Sequence, residues 1–208
     1  MARGAAYVSA ADFKTAYGIT VSTFDVELAL QVKAVSRYVD RIARREFNQD
    51  AAVVTRSYMT EPELASDWLE IDDVSTKTGF VLKVDEDRDG VTTDETAWTI
   101  DTDYQLEPLN AGEGEEAKPW TSIRIPPWTG KSLFPRAMLV TVTAKFGWAA
   151  VPDAIRQATM QLVGILRMDS PRATIRIQED IGSAIQASSA AQRIVTDLIM
   201  PYKRRRFP

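Results

Sequence analysis

The sequence predicts an α+β protein in which a helical bundle is interrupted by an inserted antiparallel β-module. Three observations favour this fold class: a long amphipathic stretch near the N-terminus, a middle region of short strand-like runs, and a return of helical periodicity at Pro152. The predicted parts are an N-terminal helical part over residues 1–50, a β-module over 51–150, C-terminal helices and a loop over 151–200, and a basic tail over 201–208.

The clearest predicted helix covers residues 23–47, and Ser22 or Thr23 is expected to cap its N-terminus. Its apolar residues recur at intervals of three and four, which places them in one stripe. These residues are Leu28, Val32, Val35, Val39 and Ile42. A shorter helix is predicted before it, over Ala10–Tyr17, with Ser9 as its N-cap.

The β-module is predicted from runs of β-branched and aromatic residues, separated by turn-forming clusters such as Asp89-Gly90 and Pro126-Pro127. The runs are Val53–Met59, Trp68–Ile71, Phe80–Val84, Thr96–Ile100, Tyr104–Leu109, Ser122–Ile125 and Leu139–Phe146. We expect an antiparallel module of about six strands. Its five tryptophans are expected to be core residues or interface anchors.

The C-terminal helices are predicted from start and stop signals. Pro152 is expected at the first position of a helix that extends to about residue 168. Its apolar face is predicted to consist of Ile155, Ala158, Leu162, Val163 and Leu166. A loop or hairpin is expected over residues 171–188. The last helix is predicted over Ala190–Met200, stopped by Pro201, with Ile194 and Leu198 buried.

The 208 residues include neither cysteine nor histidine. This composition excludes catalytic thiols, thiolate or imidazole metal sites, and histidine as a general base. No enzymatic activity and no cofactor are predicted. No apolar run approaches the roughly 20 residues that span a bilayer, and the first residues lack the apolar core of a signal peptide. We therefore expect no membrane partner.

The charge is distributed unevenly along the chain. Residues 61–116 contain 18 acidic and three basic residues, whereas the remainder has a net charge of +11. Such a division indicates either two faces with different electrostatic roles or a solvated, exposed β-module.

One acidic cluster has the spacing of a calcium loop. Asp85, Asp87 and Asp89, followed by Gly90, match the first half of an EF-hand loop. The twelfth position is Thr96 rather than glutamate, and the flanks are predicted as strands. A weak calcium site therefore remains open beside the simpler interpretation, an acidic hairpin tip.

Two basic groups are candidate binding residues. On the predicted helix, Arg37, Arg41, Arg44 and Arg45 follow the spacing of one face. They are interpreted as contacts to a neighbouring subunit, as contacts to a nucleic-acid phosphate backbone, or as a solvated face. The second group is an extended tail in which two aromatic residues flank four cations. These residues are Tyr202, Lys203, Arg204, Arg205, Arg206 and Phe207.

Three stretches together resemble bacteriophage head–tail connector proteins, the adaptor or head-completion family of tailed double-stranded DNA phages. Residues 28–47 (LALQVKAVSRYVDRIARREF) resemble the family's helix, which runs from small and apolar residues into aspartate, arginine and phenylalanine. Residues 140–166 (VTVTAKFGWAAVPDAIRQATMQLVGIL) resemble its strand, glycine turn and Ala-rich helix. Residues 69–73 and 81–85 are similar to strands inserted in longer members, whereas the loop after Ser170 matches poorly.

The resemblance implies a non-enzymatic virion protein at the head–tail interface, made in the host cytoplasm. Such adaptors form a ring beneath the portal protein, extend its DNA channel, and present a surface to a stopper or tail-completion protein. Twelve copies are implied by analogy with a twelve-fold portal. The family's C-terminal segment reaches toward the portal, so the tail is implied to dock there. DNA would pass through the channel without sequence-specific binding.

Two other functions stay open from the residues alone. A nucleic-acid-binding module could use the arginine face and the basic tail, although a pI near 5.0 and the lack of a known recognition motif argue against it. A carboxylate-based hydrolase on the β-module is the third alternative. With 29 acidic residues, pairs of carboxylates carry little information.

Overall fold

The computed structural model describes residues 4–60, 66–114, 117–131, 134, 137–169 and 189–204. The chain forms two compact units. We call them the helical unit, which comprises Gly4–Asn48 and Val151–Pro208, and the β unit, which comprises Gln49–Ala150 together with Met1–Arg3. The combination confirms the predicted α+β class.

The described residues contain four α-helices and five strands. In chain order they are α1 (Ala10–Ala16), α2 (Asp25–Ala43), β1 (Val54–Met59), β2 (Trp68–Val84), β3 (Gln105–Glu107), β4 (Trp120–Arg124), β5 (Leu139–Phe146), α3 (Asp153–Asp169) and α4 (Ser189–Ile194). A π-helical turn (Val195–Ile199) and a 3-10 turn (Met200–Tyr202) follow α4. None of these helices is long and apolar enough to cross a membrane.

Helix α2 buries the predicted stripe against the rest of the helical unit. Leu28, Val32, Val35 and Val39 are buried, and Ile42 is half-buried beside the buried Ala43. Helix α2 packs on α1 and α3, and α3 in turn packs on α4. Helix α3 buries the five apolar residues expected from its periodicity, which are Ile155, Ala158, Leu162, Val163 and Leu166.

Both predicted ends of α2 are wrong. The helix ends at Ala43 rather than residue 47, because Arg44 adopts a left-handed conformation with φ of 54°. The backbone N–H of Arg44 bonds to the Asp40 carbonyl, which closes the last turn. At the other end the N-cap is Phe24, without a side-chain cap, and Ser22 contributes only its carbonyl oxygen, 3.2 Å from the amide nitrogen of Asp25.

The last helix also differs from its prediction. Helix α4 is α-helical only to Ile194, and the N–H of Met200 then bonds to the carbonyl of Val195, five residues back. This wider π turn changes which side chains face inward. Ala191 and Ile199 are buried, whereas Ile194 and Leu198 are only half-buried. The loop or hairpin expected over 171–188 lies outside the described residues.

The β unit contains one antiparallel sheet with strand order β1-β5-β2-β4-β3. Two predicted strands, Trp68–Ile71 and Phe80–Val84, are the ends of the single 17-residue β2. Its register shifts around Val74 and Thr76, so that its first part pairs with β4 and its second part with β5. The predicted strand over 96–100 is reduced to isolated bridges at Trp98 and Ile100.

Hydrogen bonds join the two ends of the β unit. The Asp50 amide donates to the Phe146 carbonyl (2.8 Å), and the Trp148 indole N–H donates to Asp73 (3.1 Å). The guanidinium of Arg56 lies between Asp50 (3.2 Å) and Asp72 (2.6 Å) and over the ring of Phe146. These bonds hold the start and end of the inserted segment side by side.

Candidate functional site

Arg37, one of the four candidate arginines, makes several contacts within its own unit. Its guanidinium pairs with Asp40 (3.0 Å) and Glu46 (3.1 Å) and donates to the Ala5 carbonyl (2.9 Å). It also lies over the Tyr7 ring, 5.4 Å from the centroid. These contacts make Arg37 a structural residue of the helical unit.

The other three arginines do not share one helical face, because α2 ends before two of them. Arg41 is exposed in the last turn of α2, with its guanidinium 5.2 Å from the Tyr38 ring centroid. Arg44 is exposed at the left-handed position just after the helix, and Arg45 is half-buried. Arg41 and Arg44 are therefore the two candidates whose side chains face solvent.

The N-terminal segment is held on α2 by a polar cluster that the sequence did not reveal. Tyr7 is buried, its backbone N–H donates to Ser36 (3.1 Å), and its hydroxyl donates to Asp40. The same hydroxyl accepts from the Phe47 amide (3.0 Å). Burial raises the pKa of Asp40 to about 6, although the Tyr7 hydroxyl and the Arg37 guanidinium favour the charged form. The cluster links three parts of the helical unit: the N-terminal segment, α2 and the segment that follows α2.

The first part of the predicted basic tail is not extended away from the body. The Tyr202 ring packs edge-on against Phe47, with centroids 6.0 Å apart. The Arg204 amide donates to the Ala43 carbonyl (2.8 Å), and this bond satisfies a backbone acceptor at the end of α2. Pro201 lies within the 3-10 turn that leads to these contacts. The remaining tail residues of the prediction, Arg205, Arg206 and Phe207, lie outside the described residues.

The acidic loop after β2 has its own network of hydrogen bonds. Asp85 is buried and accepts from the amides of Asp89 (3.2 Å) and Gly90 (3.0 Å). One carboxylate oxygen from each of Asp85, Asp87 and Asp89 lies within 4.8 Å of the others. A calcium ion would suit this oxygen set, but the backbone N–H donors already stabilise the carboxylates. The observed geometry is that of an acidic turn that directly follows strand β2, without EF-hand helices on either side.

The uneven charge of the sequence follows the division into two units. The helical unit has 15 basic and 10 acidic residues, a net charge of +5, and the β unit has 10 basic and 19 acidic residues, a net charge of −9.

The helical unit exposes apolar residues that the sequence interpretation missed. Ile19, Val21 and Phe24 are exposed between α1 and α2, and Val26 and Leu30 are exposed on α2 itself. Beside them, a groove of about 650 Å³ runs along α1 and the turn that follows it. One sequence signal could have indicated this surface: Val26 and Leu30 are four residues apart on α2 but lie outside the apolar stripe that is predicted to be buried. Exposed apolar residues that lie close together along a chain are typical of contact surfaces.

The β unit exposes one prominent aromatic side chain. Trp128 is 76% exposed, the largest exposed fraction of any described tryptophan, whereas Trp98, Trp120 and Trp148 are buried. It lies in a turn after β4, where the Thr129 amide and hydroxyl both donate to the Pro126 carbonyl (3.1 and 2.9 Å). Three tryptophans are therefore core residues, as expected, whereas Trp68 and Trp128 are exposed.

No protein-family model matches the chain, and no curated protein sequence matches it. Solved structures do match its fold. A chain in the structure of the neck of an empty gene transfer agent (GTA) particle, computed with C6 symmetry, matches with a TM-score of 0.54 and 16% identity. That alignment covers 97% of this chain and 92% of the other.

A chain in the virion of a native gene transfer agent particle matches with a TM-score of 0.50 and 14% identity, again over 97% and 92% of the two chains. Both alignments span the helical unit and the β unit, since they leave out only a small fraction of the residues. The likeness agrees with the connector resemblance in the sequence. This chain thus has the fold of chains from the neck and the virion of gene transfer agent particles.

Proposed function

We propose that this protein is a structural component of a virion neck, located at the head–tail interface, where it forms a ring-shaped adaptor between the portal and the tail or stopper. The observation that carries the proposal is the fold likeness to a neck chain over 97% of this sequence. In this role the ring extends the DNA channel after packaging. Its contribution is structural rather than enzymatic, and it needs no cofactor.

The charge of the two units supports a ring. A ring needs a heterologous interface, in which one face of a copy meets a different face of the next. A helical unit at +5 and a β unit at −9 provide two faces of opposite sign on every copy. Like-charged pairings are disfavoured, so the charges select one orientation of neighbouring copies. Twelve copies per ring, the number proposed by analogy, is compatible with the six-fold symmetry of the similar neck.

Arg41 and Arg44 are proposed to act at the subunit interface or toward the channel. Changing both to glutamate should leave the melting temperature close to that of the wild type, because both side chains are exposed. Ring formation should be lost. Arg37→Glu is the matched comparison, since its contacts with Asp40 and Glu46 predict loss of stability. If the Arg41→Glu, Arg44→Glu double variant forms normal rings, both side chains belong to a solvated face and make no essential contact in the ring.

The C-terminal residues beyond Arg204 are proposed to dock on the portal. Removal of residues 205–208 should leave the melting temperature unchanged and abolish binding to DNA-free portal. Removal of residues 201–208 should also lower the melting temperature, because it deletes the Tyr202–Phe47 contact and the Arg204–Ala43 bond. Full portal binding by the shorter truncation would contradict docking through these four residues.

A binding experiment tests the neck function as a whole. Purified chain is mixed with purified DNA-free portal, and the masses of the complexes are measured by mass photometry. The proposal predicts one discrete complex that contains several copies of this chain per portal. A monomer that does not bind the portal but binds DNA with strong salt dependence would instead indicate the nucleic-acid-binding alternative.

A further inference from the structure

Helix α2 carries a second row of side chains on the side away from its buried stripe. Val26, Leu30, Lys33 and Arg41 are spaced by four, three and eight residues, and a helix turns roughly 100° per residue, so they lie in one row. All four are exposed. Arg37 lies in the same row but pairs with acids of its own unit. We call this row the outer stripe; its first half is apolar and its second half is basic.

The cations of the outer stripe have no acidic partner among the residues that the structure describes. Lys33 makes no ion pair there, and the guanidinium of Arg41 lies over the Tyr38 ring rather than beside a carboxylate. A nucleic-acid backbone would use the two cations but would leave the exposed Val26 and Leu30 in water. The outer stripe therefore suits a protein surface that is acidic and partly apolar.

The loop after β2, residues 85–95, is a surface of this kind. It contains six acidic residues and one arginine, so the segment itself has a net charge of −5. Asp87, Asp89 and Asp94 are exposed in it. Val91, which is 42% exposed, lies between these acids. The loop thus combines free carboxylates with an exposed apolar side chain.

Hydrogen bonds within the β unit hold this loop in one conformation. The Glu86 amide donates to Glu95 (2.8 Å), and the Val91 amide donates to Asp89 (2.7 Å). The Thr92 hydroxyl is hydrogen-bonded to a threonine hydroxyl of β5 (2.9 Å). A loop that is already ordered loses little conformational entropy when it binds a partner.

A second acid-rich segment of the β unit, residues 67–73, differs because its carboxylates have partners inside the unit. Asp72 pairs with Arg56 (2.6 Å), and Asp73 accepts from an indole N–H (3.1 Å). Asp94 in the loop, in contrast, has no ion pair or hydrogen bond with a described residue. The 85–95 loop is therefore the better match for cations that come from outside the unit.

We infer that the outer stripe of one copy binds the 85–95 loop of the next copy in the ring. The inference rests on the proposed ring and identifies the surfaces that meet in it. The complementarity is local: the cations of the stripe meet the acids of the loop, and Val26 and Leu30 have an apolar counterpart in Val91. The pairing joins different surfaces of two copies, so it is heterologous and can close a ring.

Reversal of charge on each surface tests this contact. An acidic-stripe variant carries Lys33→Glu and Arg41→Glu, and a basic-loop variant carries Asp87→Lys and Asp94→Lys. All four side chains are exposed, so both variants should melt like the wild type. Each variant alone should form about tenfold fewer rings by mass photometry, because like charges meet at every contact. An equimolar mixture should recover rings, since alternating copies restore opposite charges at every contact of an even-numbered ring.

A matched control changes two acids elsewhere on the β unit. The Glu107→Lys, Glu113→Lys variant should form rings alone and should not restore rings to the acidic-stripe variant. If the basic-loop variant melts below the wild type, Asp94→Lys replaces it, because Asp94 takes no part in the described hydrogen bonds of the loop.

The outcomes separate this contact from the proposed function. Wild-type rings without recovery in the mixture would overturn the inference and leave the ring adaptor intact. Normal rings with lost portal binding in the acidic-stripe variant would identify the portal as the partner of the stripe and likewise overturn the inference. Failure of the wild type to form rings or bind portal would refute the proposed function itself, and the inference with it.

Discussion

The helical unit is assembled from two segments separated by residues 49–150, whereas the β unit is almost entirely one continuous segment. The helical unit depends on long-range closure: the Tyr7 region and the Tyr202 region both pack near the end of α2. The β unit instead has a core of strand residues and buried tryptophans from its own sequence. The inserted segment can therefore form its own core, and the surrounding helices need both of their segments to form theirs.

The two units also differ in their surfaces. The helical unit is positive and the β unit is negative, and both expose apolar side chains: the helical unit between α1 and α2, and the β unit at Met59, Leu109 and Trp128 among others. The two units therefore differ in net charge rather than in whether they expose apolar side chains.

The largest expected effect is on the core of the helical unit. Val39 is fully buried in α2, so Val39→Asp places a charge without a solvent contact or partner and should cost several kcal/mol, enough to unfold a marginally stable domain. Val26→Asp on the same helix is the control, because Val26 is 79% exposed and its substitution should change stability by less than about 0.5 kcal/mol. Chemical denaturation followed by circular dichroism measures both. Equal stabilities would refute the assignment of the buried face.

A smaller effect is expected where the β unit closes. Arg56→Met removes the cation between Asp50 and Asp72 and leaves the largely buried Asp50 with less compensation. We expect a loss of about 2 kcal/mol, since removing one partner of a mostly buried pair costs more than the pair contributes. Lys77→Met, whose partner Asp101 is 3.7 Å away on the surface, should cost under about 0.5 kcal/mol. Similar urea midpoints for the two variants would mean that Arg56 does not fasten the ends of this unit.

The smallest effect is a pH dependence confined to the helical unit. The pKa of Asp40 rises to about 6 through burial, so the folded protein holds this proton more tightly than the unfolded chain. The stabilisation from this group is complete below about pH 4 and lost as the pH rises through 6. It should amount to about 1 kcal/mol, because partial solvation reduces the effect.

Urea denaturation between pH 4 and 7 measures this dependence as the difference between the wild type and Asp40→Asn. That difference should change across the range, because only the wild type has a carboxyl group that titrates at this buried position. A difference for Asp40→Asn that is independent of pH would show that Asp40 titrates with the same pKa in the folded and unfolded states.

Where apolar residues recur with a regular period, the sequence alone predicts which side chains are buried. The stripe of α2, apart from the half-buried Ile42, and the apolar face of α3 predicted buried residues, and the run over 139–146 predicted the strand β5. The ends of elements were less predictable, because the left-handed Arg44 and the π turn after Ile194 depend on tertiary packing rather than on local residue types. Joining two runs into the long β2 required register shifts that no local pattern indicates.

The candidate site residues show the same difference between what local sequence predicts and what depends on tertiary packing. Their residue types were visible in the sequence, but their roles were not. Arg37 and Arg41 are four residues apart on one helix, yet of these two only Arg37 has acidic partners among the described contacts. They are Asp40, three residues further along α2, and Glu46, in the segment after Ala43. The exposed apolar surface near Phe24 could be found only once the buried stripe was known, because an apolar residue type does not by itself show whether the side chain is buried or exposed.

The central claim is that unlike units of neighbouring copies join into a closed ring on the portal. Negative-stain class averages of the chain bound to purified portal test it most directly. The account predicts a closed ring, coaxial with the portal and made of a fixed number of copies, that is lost at high salt as the opposite charges are screened. Two-fold dimers, open filaments or a single bound copy per portal would contradict it.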